Sequence, residues 1–386
     1  MIELTFSILL LILICLGLIE SYVHRLSLAK LPIRIHVNGS RGKSSVTRLI
    51  ASGLRAGGLK VIAKTTGTAP RIIDEYGKDR IIHRLRSASI GEQVRLIRNF
   101  ANRKPDAVVF ECMAVNPQYQ WVAEQKMIKS TISIITNVRP DHLDEMGSTL
   151  TDNAMSLSNT IPYNGILITA ENKMQHVLES VSKKRNTKIQ SVSSKSIPSD
   201  YMSKFPYLEH HDNVAVALEV CKEAGIDENI ALKGMLDTVP DPGATVIWRL
   251  NSNGVQNYFV NVFAANDPAS TLDIWNQLQN KIKDSPTCIF LNTRDDRQYR
   301  TNQLLSLIYN NIKPNAIIIR GENLIEILKN YKLESPEIKV YELPFSVNIS
   351  DMIKVFSELE DYFIIGVGNI VGWGEEFITN LKEYRL

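Results

Sequence analysis

The chain has 386 residues, 44% of them hydrophobic and 22% charged, with a net charge of +3. That length accommodates two or three domains and a large core, and the composition excludes a disordered or fibrous chain. The near-balanced charge names no polyanionic partner such as a nucleic acid, and Cys15, Cys112, Cys221 and Cys288 form no metal or redox spacing and are expected as reduced, structural thiols.

The first element is apolar. From Leu4 to Ile19 the chain reads LTFSILLLILICLGLI, 16 residues without a charge, against about 17–25 for a full membrane crossing. Tyr22 and Val23 extend it past Glu20. A secretory leader is disfavoured, because MIE offers no basic start and no small-residue cleavage site follows. A buried core helix is the other alternative. A single-pass membrane anchor over residues 1–29 is the preferred reading. His24, Arg25, Lys30 and Arg34 follow the apolar run, which places the body of the protein on the cytoplasmic side.

Short β-rich runs then alternate with helical stretches. IRIHV (33–37), DAVVFEC (106–112), TISIIT (131–136), GILIT (165–169), YFVNVF (258–263), TCIFLN (287–292), the run ending in IIIR around 316–319, and DYFIIGVG (361–368) are expected as strands. Near-continuous Val, Ile and Leu runs between helices indicate parallel sheets covered on both faces, hence an α/β fold. VPDPGAT (239–245) reads as a hinge between a larger domain, 30–242, and a smaller one, 243–386. The stretch 183–206 is polar and is expected to include an irregular surface segment.

Gly39-Ser40-Arg41-Gly42-Lys43-Ser44-Ser45 follows the first β run and opens a helix at Ser44 or Ser45. The common phosphate loop, G-x-x-x-x-G-K-[ST], would place its first glycine at position 37, which is Val37. The physics is the same. Backbone N–H groups and the helix N-terminus would cradle phosphate oxygens, Lys43 would reach the β- and γ-phosphates of a nucleotide, and the Ser44 hydroxyl would bind Mg2+.

This G-x-x-G-K-[ST]-[ST] spacing resembles the loop of the Mur ligase superfamily, which includes the cell-wall peptide ligases and folylpolyglutamate synthetase. VVFEC ends on Glu111 where those ligases carry a glutamate on a second metal. TNVRPDHLDEMG (136–147) resembles their T-N-x-x-x-D-H-L-D-x-x-G segment, with His142 at the metal histidine. HHDNVAVALEVCKEAGI (210–226) resembles their helix start near the nucleotide, and Asn213 fits its second asparagine. FAANDPAST (263–271) and NTRDDRQYR (292–300) occupy the places of two loops of their C-terminal domain. The implied architecture is a Mur-ligase-like central P-loop ATPase domain and a smaller Rossmann-like α/β domain, behind the anchor.

Within the superfamily, PIRIHVNGSRGKSSVTRLIASGLRAGGL, ECMAVNPQYQW (111–121), NTRDDR (292–297) and IIGVGNIVGWGEEF (364–377) closely resemble the catalytic subunit of bacterial poly-γ-glutamate synthase. The resemblance implies an ATP-dependent ligase that forms a γ-glutamyl phosphate, takes glutamate and the growing polymer as substrates, and works at the cell membrane with small integral membrane subunits that export the product. It implies ATP contacts at Gly39, Ser40, Arg41, Gly42, Lys43, Ser44, Ser45, Asn213 and Arg294. It implies Mg2+ or Mn2+ on Ser44, Glu111 and His142, with Lys43, Glu111 and His142 catalytic. Asp267, Asp296 and Arg297 are expected to contact the substrate.

Two departures stand out. Many Mur ligases carry a carbamylated lysine about fifteen residues after the metal histidine, and AMSLSNTIP (154–162) has no lysine. The arginine expected in the linker is replaced by DPGAT (241–245). A basic run, Arg71, Lys78, Arg80, Arg84, Arg86, Arg95, Arg98, Arg103 and Lys104, is either a track for a polyanionic product or a solvated face. The rival readings are another γ-glutamyl ligase, a membrane-tethered P-loop NTPase, and a non-catalytic assembly subunit.

Overall fold

In a computed structural model, every residue is described except 1, 67–69, 84–88, 203, 206, 208, 242–246, 253, 264, 266, 283–284, 295–296 and 323. The chain divides into two units, one formed by Met1–Lys204 and Glu209–Val239, the other by Phe205–Leu208 and Pro240–Leu386.

Helix α1 runs unbroken from Ile2 to Ala29, 28 residues, or about 42 Å at 1.5 Å per residue. Its stretch Leu4–Ala29 has a mean hydropathy of 2.4, and none of its most apolar window is buried against the rest of the chain. The last turns behave differently. His24, Ser27 and Leu28 are buried, and the His24 ring hydrogen-bonds the Met127 carbonyl at 2.8 Å. Leu28 and Leu31 join Ile62, Ile97, Phe100 and Phe110 in one apolar cluster. One end of α1 is therefore fixed to the first unit, while the apolar remainder has no protein cover.

The first unit is built on an eight-stranded sheet of order β4-β3-β2-β5-β1-β6-β7-β8. Its strands are β1 (Ile33–Asn38), β2 (Val61–Thr65), β3 (Arg71–Ile73), β4 (Asp79–Ile81), β5 (Ala107–Glu111), β6 (Ile132–Ile135), β7 (Ile166–Thr169) and β8 (Lys188–Ser191). Strand β1 lies between β5 and β6, parallel to both. Only β3 runs against the others, in antiparallel pairs with β2 and β4 at that edge.

The apolar alternation of Ile33, Ile35 and Val37 does not give β1 a wet face. His36 and Asn38 are buried as well, each with partners: His36 Nδ1 with Glu124 at 2.8 Å, and Asn38 Nδ2 with Gln120 and Thr160 at 2.9 and 3.3 Å. A central parallel strand is covered on both sides, so its polar side chains must be satisfied internally.

The stretch 183–206 combines short regular elements with the expected irregular residues, such as 192–193 and 197–198. It holds the end of the helix Gln175–Lys184, then β8, then a short helix Ser199–Met202. Strand β8 lies at the sheet edge, where the backbone ladder to β7 suffices and polar side chains face solvent.

The second unit holds a six-stranded sheet of order β13-β12-β11-β14-β10-β9. Its strands are β9 (Ile247–Ser252), β10 (Val255–Asn261), β11 (Thr287–Asn292), β12 (Ala316–Arg320), β13 (Lys339–Leu343) and β14 (Phe363–Gly368), and only β9 is antiparallel to its neighbour. Successive residues of β11 feed opposite cores: Ile289 and Leu291 on one face, Cys288 and Phe290 on the other. That double burial is why TCIFLN reads as a continuous apolar run.

A candidate nucleotide and metal site on the first sheet

Helix α2 begins at Lys43, directly after the glycine loop, and runs to Ala56. Both loop glycines are sterically required. Gly39 has φ +133, and a Cβ there would lie 2.0 Å from Thr136 Oγ1. Gly42 has φ +83, and a Cβ there would lie 2.6 Å from Asn213 Oδ1. An L side chain is strained at such angles and would also collide. The loop is thus held from two sides, by the segment after β6 and by the start of the helix His211–Glu223.

The first of these contacts is extensive. Ser40 N donates to Asn137 O at 3.0 Å, and Ser40 Oγ donates to Arg139 O at 2.9 Å. Arg41 N donates to Asn137 Oδ1 at 3.1 Å, while the Arg41 carbonyl accepts from Thr136 Oγ1 at 2.5 Å and Asn137 Nδ2 at 3.1 Å. The Ser40 and Arg41 backbones therefore anchor the loop, and the Arg41 guanidinium lies 3.7 Å from Asp141. Opposite, Asn213 Nδ2 donates to Glu209 Oε1 at 2.7 Å. Ser45 lies in the first turn of α2.

The Lys43 ammonium donates to Gly39 O at 2.6 Å and Ser40 O at 3.1 Å. Burial lowers its pKa from the ordinary value, and the Glu111 and Asp141 carboxylates act against that. Ser44 Oγ donates to Glu111 Oε2 at 2.8 Å, and the same oxygen accepts from Thr66 N at 2.7 Å. Glu111, at the end of β5, is 2% exposed. Strand pairing accounts for its position: Val37 is in register with Glu111, so the loop that leaves β1 passes this carboxylate.

Lys43, Glu111, Asp141 and His142 line one cavity of about 300 Å3 together with Asn38, Gly39 and Thr66. His142 heads the short helix Leu143–Met146 with φ 43, a left-handed conformation uncommon for a side-chain-bearing residue, and its ring is 54% exposed. Its Nε2 lies 3.8 Å from Asp141 Oδ1. Among the described residues no three His, Cys, Asp or Glu side chains cluster as a ready-made metal cage. Magnesium rarely needs one, since it takes one or two carboxylates and completes its shell with phosphate oxygens and water. The Ser44 hydroxyl on a buried carboxylate, with His142 on the same cavity, is a donor set that fits a hard divalent cation.

Asp141, Thr66 and Asn38 are site residues that sequence reasoning left unassigned. Asp141 stands inside the quoted DHLD segment and could have been found there; Thr66 contributes only a backbone N–H and leaves no side-chain signal. Beside Asn213, Lys195, His210 and His211 border a second cavity of about 600 Å3.

The remaining expected residues belong to the second unit. Asp267 caps the helix Pro268–Ile282, accepting from Ser270 N at 2.9 Å. Arg294 and Arg297 follow β11, and Arg297 N donates to Arg294 O at 3.2 Å. Asp296 lies outside the described residues. The basic run is largely tied to local acids: Arg71 to Asp79 at 3.8 Å, Arg80 to Asp74 at 3.2 Å, Arg98 to Glu20 at 4.0 Å, and Arg103 to Glu75. Arg84 and Arg86 fall outside the described residues.

Comparison with known proteins divides the chain in the same order. Residues 37–237 match the Mur ligase middle domain, and residues 247–384 match the poly-gamma-glutamate synthase CapB C-terminal domain. The chain is 37% identical over 380 residues to PGA synthase CapB of Bacillus subtilis (strain 168), covering 97% of this chain and 96% of that one. It is 36% identical over 378 residues to the capsule biosynthesis protein CapB of Bacillus anthracis, covering 97% and 82%. Among solved structures, the bifunctional folylpolyglutamate synthase/dihydrofolate synthase of Yersinia pestis, complexed with AMPPNP and Mn ion, superposes with a TM-score of 0.69 at 13% identity, covering 94% of this chain and 92% of that one.

Proposed function

The chain belongs to the CapB family of poly-gamma-glutamate synthases and carries a Mur ligase middle domain, and from that premise we propose that it is an ATP-dependent amide ligase that polymerises glutamate through a γ-glutamyl phosphate. The observation that carries this reading is the junction of the glycine loop with Glu111: Lys43 and this buried carboxylate line one cavity, and Ser44 donates to the carboxylate.

A carboxylate is a poor acyl donor because oxide is a poor leaving group. In the proposed reaction a γ-carboxylate oxygen attacks the γ-phosphorus of ATP, the bond to the β-phosphate breaks, and ADP leaves. An amine then attacks the acyl carbon, the carbon–oxygen bond to phosphate breaks, and the nitrogen loses a proton. The first step brings two anions together, so it depends on fixed cations and N–H donors.

The residues of this chain suit that demand. Lys43 exchanges the Gly39 and Ser40 carbonyls for phosphate oxygens, and its local partners hold it ready for them. The N-terminus of α2 presents backbone N–H groups to the same phosphates. Thr66 N fixes the Glu111 carboxylate, and Asn213 holds the loop at Gly42. Ser44 would hold one magnesium or manganese ion, and Glu111 and His142 a second; when bound, the ions would neutralise charge on the phosphates and the incoming carboxylate. In the second unit, we assign Arg294 to the nucleotide and Asp267, Asp296 and Arg297 to the substrate.

Helix α1 supports a single-pass anchor with the body on the cytoplasmic side, where ATP is available. Small integral membrane subunits are the partners this arrangement calls for, since one helix forms no channel.

The test is ADP release by detergent-solubilised protein with and without glutamate, with Lys43→Ala as control. Glutamate-stimulated release, with a γ-glutamyl hydroxamate trapped by hydroxylamine and absent in the variant, supports the ligase. Release indifferent to glutamate, with no hydroxamate, would make the chain a P-loop NTPase of another kind.

A further inference from the structure

The first unit has another cavity, of about 450 Å3, bordered by Arg48, Arg55, Tyr76, Asp79, Asp237 and Thr238 among others. That volume lies within the range of small-ligand sites. Arg55 is 12 residues beyond Lys43 on α2, about 18 Å along the helix axis. The cavity is therefore a separate station from the phosphate-binding end.

Its charges are unevenly satisfied. Arg48 is spoken for: it holds Asp79 through two hydrogen bonds of 2.8 and 3.0 Å and donates to Val239 O at 3.2 Å. Glu75 is paired with Arg103. Asp74 accepts from Tyr76 N and Lys78 N at 3.0 and 2.9 Å and from Arg80. Arg55 differs. Its Nη2 donates to Ser52 at 3.2 Å, but its Nη1 is buried without a hydrogen-bond partner. Thr238, 5% exposed, likewise has a buried hydroxyl with no partner. Native interiors rarely leave such groups unmade, and both residues border the same cavity. The β3–β4 turn leaves room for a partner: Gly77, with φ +79, lies over the guanidinium, and a Cβ there would come within 3.6 Å of Arg55 Nε.

The exposed Asp237 carboxylate on the same cavity makes a phosphate dianion a poor occupant and a ligand with both a carboxylate and an ammonium a good one. We propose that this cavity binds the free α-amino-acid end of a glutamyl chain, its α-carboxylate on Arg55 and Thr238 and its ammonium on Asp237. The ligand's identity rests on the ligase reading; the site itself rests on the cavity and its unpaired donors.

The test is calorimetric titration of the full-length protein in detergent with γ-linked triglutamate, followed by glutarate and inorganic phosphate. Wild-type protein is expected to bind triglutamate at an Arg55-dependent site, and glutarate, which lacks the amine, more weakly. Arg55→Gln is expected to weaken binding at least tenfold and Thr238→Val several-fold, each variant checked for folding by thermal denaturation. Lys43→Ala is expected to bind as the wild type does. Absence of triglutamate binding, equal binding by both cavity variants, or displacement by phosphate would each overturn the proposal. The ligase reading is judged separately by ADP release and hydroxamate: if those fail while Arg55-dependent binding persists, the site stands and the ligase does not.

Discussion

Ser44 Oγ donates a 2.8 Å hydrogen bond to Glu111 Oε2, joining the first turn of α2 to the end of β5 across 67 positions of sequence. Two of the three groups expected to hold divalent cations are thus already neighbours, and Thr66 N fixes the Glu111 carboxylate. Glu111→Gln keeps the shape and much of the hydrogen bonding but removes the charge. The expected outcome is a loss of glutamate-dependent ADP release of about 100-fold or more, with a higher Mg2+ requirement and an unchanged thermal midpoint. A Mg2+ titration of both proteins checks it; an unaltered Mg2+ dependence would count against Glu111 as a ligand.

Gly42→Ala introduces a Cβ 2.6 Å from Asn213 Oδ1 at a residue with φ +83. Backbone strain of this kind costs about 1–3 kcal/mol, and the collision adds to it. Affinity for a non-hydrolysable ATP analogue is expected to fall together with stability. Adding Asn213→Ala is expected to recover part of the loss, because it removes the collision but not the strained φ. A double-mutant cycle on analogue affinity separates the two.

His36 is buried beside Glu124, and its pKa is raised to about 9 from an ordinary 6.5. Burial itself acts to lower it; hydrogen bonds with Cys112 and Glu124 outweigh that effect. A histidine whose folded pKa exceeds the unfolded value contributes stability fully below about pH 6.5, and that contribution disappears as pH rises through about 9. Thermal midpoints are therefore expected to fall between pH 7 and 9.5 in the wild type. Glu124→Gln leaves a buried charge uncompensated and is expected to cost about 3–5 kcal/mol at pH 7, with a flatter dependence above it. A wild-type midpoint that is level across this range would contradict the pairing.

The apolar start of α1 and the segment just after its end are expected to answer differently to mutation. Residues 4–19 of α1 are exposed to solvent, and removing Met1–Ile19 takes that surface away. Midpoints are expected to stay within a few degrees, while the protein moves from the membrane to the soluble fraction. Leu31→Ala, at a fully buried position in the cluster with Phe100 and Phe110, is expected to destabilise by about 2–5 kcal/mol. Cell fractionation and calorimetry of the two variants check this pair of outcomes.

What could be read from the sequence follows burial. β1, β5, β6, β11 and β14 are covered on both faces, and their apolar runs stand out. β2 was missed because VIAKT carries Lys64, fully buried and balanced by Glu92 at 3.2 Å, so a charged letter hides a core strand. β3, β4, β8 and β13 lie at or near sheet edges, where polar residues such as Arg71, Asp79, Lys188 and Lys339 break up the apolar signal. At the site, the glycine loop was legible from its own spacing, whereas Glu111 and Asn213 were reached only through the resemblance to Mur ligase segments; the structure places Glu111 against Ser44 and Asn213 against Gly42. The anchoring of Ser40 to Arg139 and the Thr66 N–H on Glu111 were not, since both depend on backbone groups that any residue supplies.

The most direct test of the acyl-phosphate account follows oxygen. Glutamate labelled with 18O in its γ-carboxylate is given to the protein with ATP and Mg2+, and the released phosphate is examined by mass spectrometry. The account predicts one 18O transferred to phosphate for each amide bond formed, and none with Lys43→Ala. Amide formation that releases unlabelled phosphate would contradict it.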